Sequence, residues 1–206
     1  MGIITVVKLG IIGGTFDPIH YGHLIAAEWA KEVYDLHKII FVPAYHPPHK
    51  ESNAISDKEY RYNMVELAIA ENPDFTISDY EIKKVGTSYT IDTLNYFKII
   101  YPNSQLYFIA GLDSLLNLPT WKDVAEILAL STFIVATRAG YNIKPDDDVY
   151  KNLPNNAKEK ISFYKIPTLE ISSSAIRKRI SQKKSIKYLV PERVEKYILE
   201  NNLYGV

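Results

Sequence analysis

Short runs rich in β-branched and aromatic residues alternate with longer segments of helical spacing, and this alternation constrains the fold more than any other feature of the chain. The runs are KLGIIG (8–13), KIIFVP (38–43), FTISD (75–79), QLYFIAG (105–111), TFIVATR (132–138) and ISFYKI (161–166). Several are apolar at consecutive positions, as strands covered on both faces require. Helical spacing falls between and after them, at about 23–34, 57–71, 90–101, 121–129, 173–182 and 191–201. The pattern predicts an α/β fold: a doubly wound, mostly parallel sheet flanked by helices, joined by right-handed crossovers. Ligands of such sheets bind beyond the carboxyl ends of the strands.

With 206 residues and neither an internal repeat nor a low-complexity linker, the chain reads as a single domain, 1–206. Pro47 and Pro48 make 44–56 a loop. The polar stretch 139–160 reads as a surface excursion, and its Asp146–Asp148 run as a solvated turn rather than a metal site.

Charge and composition remove several functions. Lys plus Arg equals Asp plus Glu, 24 each. A neutral chain is poorly suited to broad nucleic-acid binding, which depends on many phosphate contacts, so no nucleic-acid partner is expected. Small phosphorylated ligands need only a local positive site. There is no cysteine, which excludes disulfides, thiolate metal sites and a cysteine nucleophile, and fits a cytoplasmic protein. No apolar stretch is long enough to span a bilayer, so no membrane association is expected. The opening MGIITVVKLGII lacks the basic flank and small-residue cleavage site of a signal peptide and reads as a strand.

The chemistry concentrates where the first strand gives way to a helix, in GGTFDPIHYGH (13–23). Gly13 and Gly14 allow positive φ and a close approach of backbone to ligand. Gly22 and His23 open a helix whose unpaired N–H groups and dipole favour an anion. His20 and His23 share one side of that start. Their imidazoles can donate to phosphate oxygens, and can be cationic while a polyphosphate is bound. This suits phosphate binding and stabilisation of charge as a phosphorus–oxygen bond breaks. A metal pair is the alternative, with further ligands from His46, His49 or acidic residues, but no His-Glu-x-x-His pattern supports it. An N-cap turn with incidental histidines is the plainer alternative.

Late in the chain stands ISSSAIR (171–177). Ser172 or Ser173 can cap a helix whose N–H groups, with the Arg177 guanidinium, can hold terminal phosphates. Read alone, the segment is more simply a capped surface helix, since Lys178, Arg179, Lys183 and Lys184 follow.

Together the two segments resemble the signatures GxFxPxHxGH and ISSTxIR of the HxGH nucleotidyltransferase superfamily, with Ser174 in place of threonine. The resemblance implies a Rossmann-like nucleotidyltransferase fold in which C-terminal helices from about 171 complete the ATP site. It carries His20, His23 and Arg177 over as catalytic residues, and Gly13, Gly14, Thr15, Phe16, His20, His23, Ser172, Ser173, Ser174 and Arg177 as the ATP-binding set. The segments between, PPHK (47–50), GTSYTIDTL (86–94), GLDSLLNLPTWKD (111–123), ATRAG (136–140) and YLVPERVEKYILENNLY (188–204), are similar to those of the bacterial nicotinate-nucleotide adenylyltransferases.

That likeness implies transfer of the adenylyl group of ATP to nicotinate mononucleotide, giving deamido-NAD and pyrophosphate, with Mg²⁺ carried on the ATP phosphates and no protein metal cage. It implies a mononucleotide site at Lys50, Tyr89, Thr90, Asp113, Trp121, Lys122 and Arg138. Trp121, read as opening a helix, offers an indole face for the cationic pyridinium ring, or is a core anchor. The amides of Thr90 and Lys122 are donors for the carboxylate in this family. Asp113 can accept from ribose hydroxyls or act as an N-cap, and Lys50 and Arg138 either meet the mononucleotide phosphate or stay solvated. Adenylylation of nicotinamide mononucleotide, or of both mononucleotides, is the nearest alternative activity. A non-catalytic nucleotide sensor and a metal-dependent phosphohydrolase are more distant ones. The sequence is compatible with a homo-oligomer but does not specify one.

Overall fold

The computed structural model of the chain describes residues 6–48, 55–137 and 148–205. In order, these form β1 (Lys8–Gly14), α1 (Tyr21–Tyr34), β2 (Lys38–Pro43), α2 (Lys58–Ile69), β3 (Phe75–Ile77), α3 (Tyr80–Lys84), α4 (Thr90–Ile100), β4 (Gln105–Gly111), α5 (Leu112–Asn117), α6 (Val124–Leu130), β5 (Ser131–Thr137), α7 (Ala157–Lys160), β6 (Ile161–Lys165), α8 (Ser173–Ser181) and α9 (Glu192–Glu200). The described strands make a six-stranded parallel sheet in the order β3-β2-β1-β4-β5-β6. The order runs outward from β1 in one direction and from β4 in the other, as the alternating pattern predicted for a doubly wound sheet. Lys8 pairs with Gln105 and Ile11 with Phe108 across β1 and β4, and Leu106 pairs with Ser131 across β4 and β5.

Contacts divide the chain into two compact units. The first takes the described residues of Met1–Gly13, Ala26–Ile40 and Tyr89–Thr168. Its core is the strand run that sequence reading marked as apolar on both faces: Ile11, Ile39, Leu106, Ile109, Phe133, Ile134 and Val135 are all buried. Gly10 sits in the middle of it. A Cβ there would lie 2.5 Å from Ile39 Cδ1, 2.9 Å from Leu36 Cδ1 and 3.0 Å from Ile109 Cδ1, so no larger residue fits without moving three side chains together.

The second unit takes the described residues of Gly14–Ile25, Phe41–Ser88 and Leu169–Val206. Phe16, Phe41 and Phe75 form a chain of rings 5.9 and 5.2 Å apart. Met64 and Val65 of α2 and Val194 and Ile198 of α9 are buried. The spacing of the latter pair puts both on one helical face. Asn63 Nδ2 donates to the Tyr197 hydroxyl at 2.9 Å, tying the two helices.

Several boundaries differ from the sequence reading. Strand 75–79 ends at Ile77, because Ser78 and Asp79 turn the chain into α3, a five-residue helix too short to show a period. Helix 121–129 begins at Val124. Trp121 is extended (φ −76°, ψ 152°) and Asp123 is left-handed, so the indole precedes the helix rather than opening it. Within 139–160, α7 buries Ala157, so its end is not a free surface excursion. Among the described residues, no helix is long and apolar enough to cross a membrane.

Candidate active site

In the second unit, the turn between β1 and α1 is held by its own backbone. The Gly14 carbonyl accepts from Ala44 N–H at 2.9 Å. Gly14 remains in the strand with no positive φ, and the left-handed residue is Phe16, at φ 50°. The glycine is needed for space. A Cβ at Gly14 would lie 3.0 Å from the Phe16 ring. Gly13 has no such crowding, its nearest contact being Phe108 Cζ at 3.5 Å. Thr15 contributes a carbonyl that accepts from Arg61 Nη1 at 2.8 Å.

His20 and His23 stack, with ring centroids 3.8 Å apart and planes 24° off parallel. Phe16 meets the His23 ring edge-on at 5.1 Å. His23 Nδ1 accepts the His20 N–H at 3.3 Å. An accepting Nδ1 is unprotonated, so neutral His23 carries its proton on Nε2 as a donor. His20 is 6 % exposed, and its Nδ1 is buried with no partner. Burial, only partly offset by its own main chain, pushes its pKa down to about 4. At that value His20 is neutral near pH 7. The glycine of His-x-Gly-His has a direct cause too: a Cβ at Gly22 would lie 3.0 Å from His20 Cε1 and Nδ1. At the start of α1, Tyr21 N–H donates to Leu189 O, and His23 and Leu24 N–H to His20 O. Among the described residues, that leaves the Gly22 N–H for an anion there.

The late signature lies against this turn. Ser172 caps α8 through its hydroxyl, which accepts from Ala175 N–H at 3.2 Å, and lies 3.3 Å from the Ser174 hydroxyl. The Ser173 hydroxyl donates to Pro18 O at 2.9 Å, and Arg177 Nη1 donates to Asp17 O at 2.6 Å. The structure thus brings together His20, His23, Ser172, Ser173, Ser174 and Arg177. The Ser173 and Ser174 N–H groups, at a nine-residue helix start, and the remaining Arg177 donors are positioned to bind anionic oxygens.

The first unit holds the described residues assigned to a pyridine nucleotide. Tyr89 is extended at the N-cap of α4, and Asp92 and Thr93 N–H donate back to its carbonyl. This leaves the Thr90 and Ile91 N–H groups as the anion donors of that helix. Lys122 Nζ lies 4.9 Å from the Tyr89 ring centroid. Trp121 is half-buried and edge-on to Phe108 and Phe133, at 5.8 and 6.0 Å. Asp113 is exposed in the first turn of α5 and is not its N-cap, which is Gly111. Lys50 and Arg138 lie outside the described residues, as do His49 and Asp146.

Sequence reading passed over three residues of the second unit: Asp17, Arg61 and Tyr204. Asp17 is 2 % exposed, and its carboxylate accepts from the Tyr204 hydroxyl at 2.7 Å and from Ser56 N–H at 3.2 Å. Arg61 is 1 % exposed and donates to the carbonyls of Thr15, Tyr45 and Ser56. Its signal was present in the sequence. It occupies the same helical stripe as Met64 and Val65, where a cation must be buried and fully bonded.

Against known proteins, residues 11–179 match the family model described as cytidylyltransferase-like. A "Probable nicotinate-nucleotide adenylyltransferase" of Moorella thermoacetica is 48 % identical over 198 residues, covering 96 % of this chain and 91 % of the relative. The protein of the same description from Thermoanaerobacter sp. is 46 % identical, covering 96 % and 94 %. Among solved structures, the Plasmodium falciparum nicotinic acid mononucleotide adenylyltransferase complexed with NaAD aligns at TM-score 0.77 and 26 % identity, covering 96 % of this chain and 97 % of that one. The same enzyme complexed with APC aligns at TM-score 0.75 and 24 % identity over the same shares, a likeness of fold.

Proposed function

This chain belongs to the cytidylyltransferase-like family, among its nicotinate-nucleotide adenylyltransferases, and from that premise we propose how its residues serve the reaction. The enzyme transfers the adenylyl group of ATP to nicotinate mononucleotide, giving deamido-NAD and pyrophosphate, a step of NAD biosynthesis. The observation that carries the assignment of roles is the joining of the two signatures, Ser173 on Pro18 and Arg177 on Asp17.

The nucleophile is a phosphate oxygen of the mononucleotide. A phosphate monoester has its second pKa near ~6, so it is largely ionised at neutral pH and needs no general base. That oxygen forms a bond to the α-phosphorus of ATP. The bond from the α-phosphorus to the bridging oxygen breaks, and its electron pair leaves with pyrophosphate. The protein's work is to hold two anions in line and to neutralise the charge that builds as the bond breaks. His23 donates Nε2–H to the α-phosphate, and neutral His20 supports its ring from below. The Ser173 and Ser174 N–H groups and Arg177 take the β- and γ-phosphates. Among the described residues no cluster of His, Asp and Glu could hold a metal ion, so Mg²⁺ would be carried on the ATP phosphates as part of the substrate, where it would offset their charge. Thr90 N–H receives the nicotinate carboxylate, Trp121 the pyridinium face and Asp113 the ribose hydroxyls, with Tyr89 and Lys122 beside them. Gly13 and Gly14 give the nucleotide close access to backbone. A cytoplasmic location fits these substrates.

The test is incubation with Mg–ATP and each mononucleotide in turn, followed by product mass. Deamido-NAD with one pyrophosphate per turnover is the expected result. Release of AMP or free phosphate without a dinucleotide would instead identify a phosphohydrolase, and binding without turnover a sensor.

A further inference from the structure

The mechanism above makes no use of the buried Asp17 carboxylate, yet both of its oxygens and the main-chain carbonyl are held. One carboxylate oxygen accepts from the Tyr204 hydroxyl at 2.7 Å, from a residue 187 positions downstream, and the other accepts from Ser56 N–H at 3.2 Å. Its main-chain carbonyl accepts from Arg177 Nη1 at 2.6 Å. Ser56 is itself fixed, since its carbonyl accepts from Arg61 Nε at 2.9 Å. Arg61 is buried, and of the acids acting on it Asp17 acts most strongly.

Arg177 Nη1 stands 3.9 Å from Asp17 Oδ2. That is near enough for strong attraction and too far for a hydrogen bond. The carboxylate is kept from closing on the guanidinium because both of its oxygens are already engaged. Tyr204 contributes a neutral donor to this arrangement. Burial and the adjacent Asp17 charge push its phenol upward, so it stays protonated beside the carboxylate near neutral pH.

We propose that Tyr204 is a positioning residue for ATP: by holding the Asp17 carboxylate, it keeps the Arg177 guanidinium turned toward the phosphates. The inference rests on the assignment of Arg177 to the ATP phosphates made above. Without the phenol, one oxygen of a buried carboxylate is orphaned. The phenol holds Oδ1 while Arg177 Nη1 faces Oδ2, so its loss acts by freeing the carboxylate to turn, and a carboxylate turned onto Arg177 then competes with ATP for the same guanidinium.

The experiment is calorimetric binding of Mg²⁺ with α,β-methylene-ATP, which needs no turnover. Tyr204→Phe keeps the ring and deletes the donor. Its affinity for the analogue is expected to fall roughly 5- to 20-fold, while nicotinate mononucleotide affinity stays within about two-fold. In an Arg177→Ala background, Tyr204→Phe is expected to add no further loss, because the residue it acts through is gone. Unchanged analogue affinity, equal weakening of both ligands, or losses that add on the Arg177→Ala background would each overturn the proposal. If the wild-type protein ignores the analogue, the ATP assignment falls and takes this inference with it. If Tyr204→Phe does not fold, 3-fluorotyrosine at position 204 keeps the hydroxyl and the fold. By linkage, a contact that strengthens ATP binding is strengthened by it, so the ¹⁹F resonance must shift with the analogue and not with the mononucleotide. A resonance indifferent to the analogue also overturns the proposal.

Discussion

At the scale of single residues, the two histidines have different physics despite their stacking. His23 is fixed as an Nε2–H donor by the main chain it accepts from. Loss of one preorganised donor costs roughly 10²–10³ in kcat. His23→Ala should lose that much in steady-state turnover with little change in Tm, and near-normal kcat would remove it from the mechanism. His20 is a buried neutral base with a pKa of about 4. Below about pH 6.5 the unfolded chain takes up a proton at this imidazole that the folded chain refuses until about pH 4. Its stability contribution is thus fully present above pH 6.5 and is lost as pH falls, by about 3 kcal/mol in all. Urea unfolding at pH 7, 5.5 and 4.5 should show His20→Asn losing less stability than the wild type over this range; identical slopes would refute the assignment. Arg177→Ala should raise KM for ATP well beyond that for the mononucleotide, and a balanced rise in both would place the guanidinium elsewhere.

At the scale of elements, what was legible followed from how each element is stabilised. Strands β2 and β4 were read to the residue, because Ile39–Val42 and Leu106–Ala110 are unbroken buried runs. Helix α8 was legible through its cap, and Ser172 performs that role. Ser172→Ala should cost about 1 kcal/mol in urea-measured stability while leaving mononucleotide KM unchanged. A stability loss near zero would mean that α8 is held by Ser173 and Arg177 alone. The short helices α3 and α5 were not legible, since five or six residues show no period and their ends are set by tertiary contact. Arg61 was overlooked because arginine is read as surface by default. Its three carbonyl acceptors lie 5, 16 and 46 positions away in sequence, and no local pattern announces them. Asp17 was passed over for the same reason, its phenolic partner being 187 residues distant.

At the scale of the whole molecule, the fold class and the reaction class were legible together, because two motifs in a fixed order stand on a strand–helix alternation that leaves few topologies. Substrate choice was less legible, since the donors proposed for the carboxylate are backbone N–H groups. The Thr90 and Ile91 N–H groups at the start of α4 are donors only, whatever side chains flank them. A nicotinate carboxylate satisfies such donors with both oxygens. A nicotinamide offers one carbonyl and presents its own NH₂ to the second donor, which then goes unpaired. A buried site of this kind rejects the wrong group by a few kcal/mol, on the order of 10²-fold or more. Trp121 acts without discrimination, because its indole face would meet the same pyridinium ring in both compounds. We therefore expect kcat/KM for nicotinate mononucleotide to exceed that for nicotinamide mononucleotide by at least about 10²-fold. Trp121→Ala should lower both values while largely preserving their ratio. Measuring the four specificity constants decides the matter. Comparable wild-type turnover of the two compounds would make this a dual-specificity adenylyltransferase, and a ratio that collapses in Trp121→Ala would move discrimination from the α4 amides to the indole.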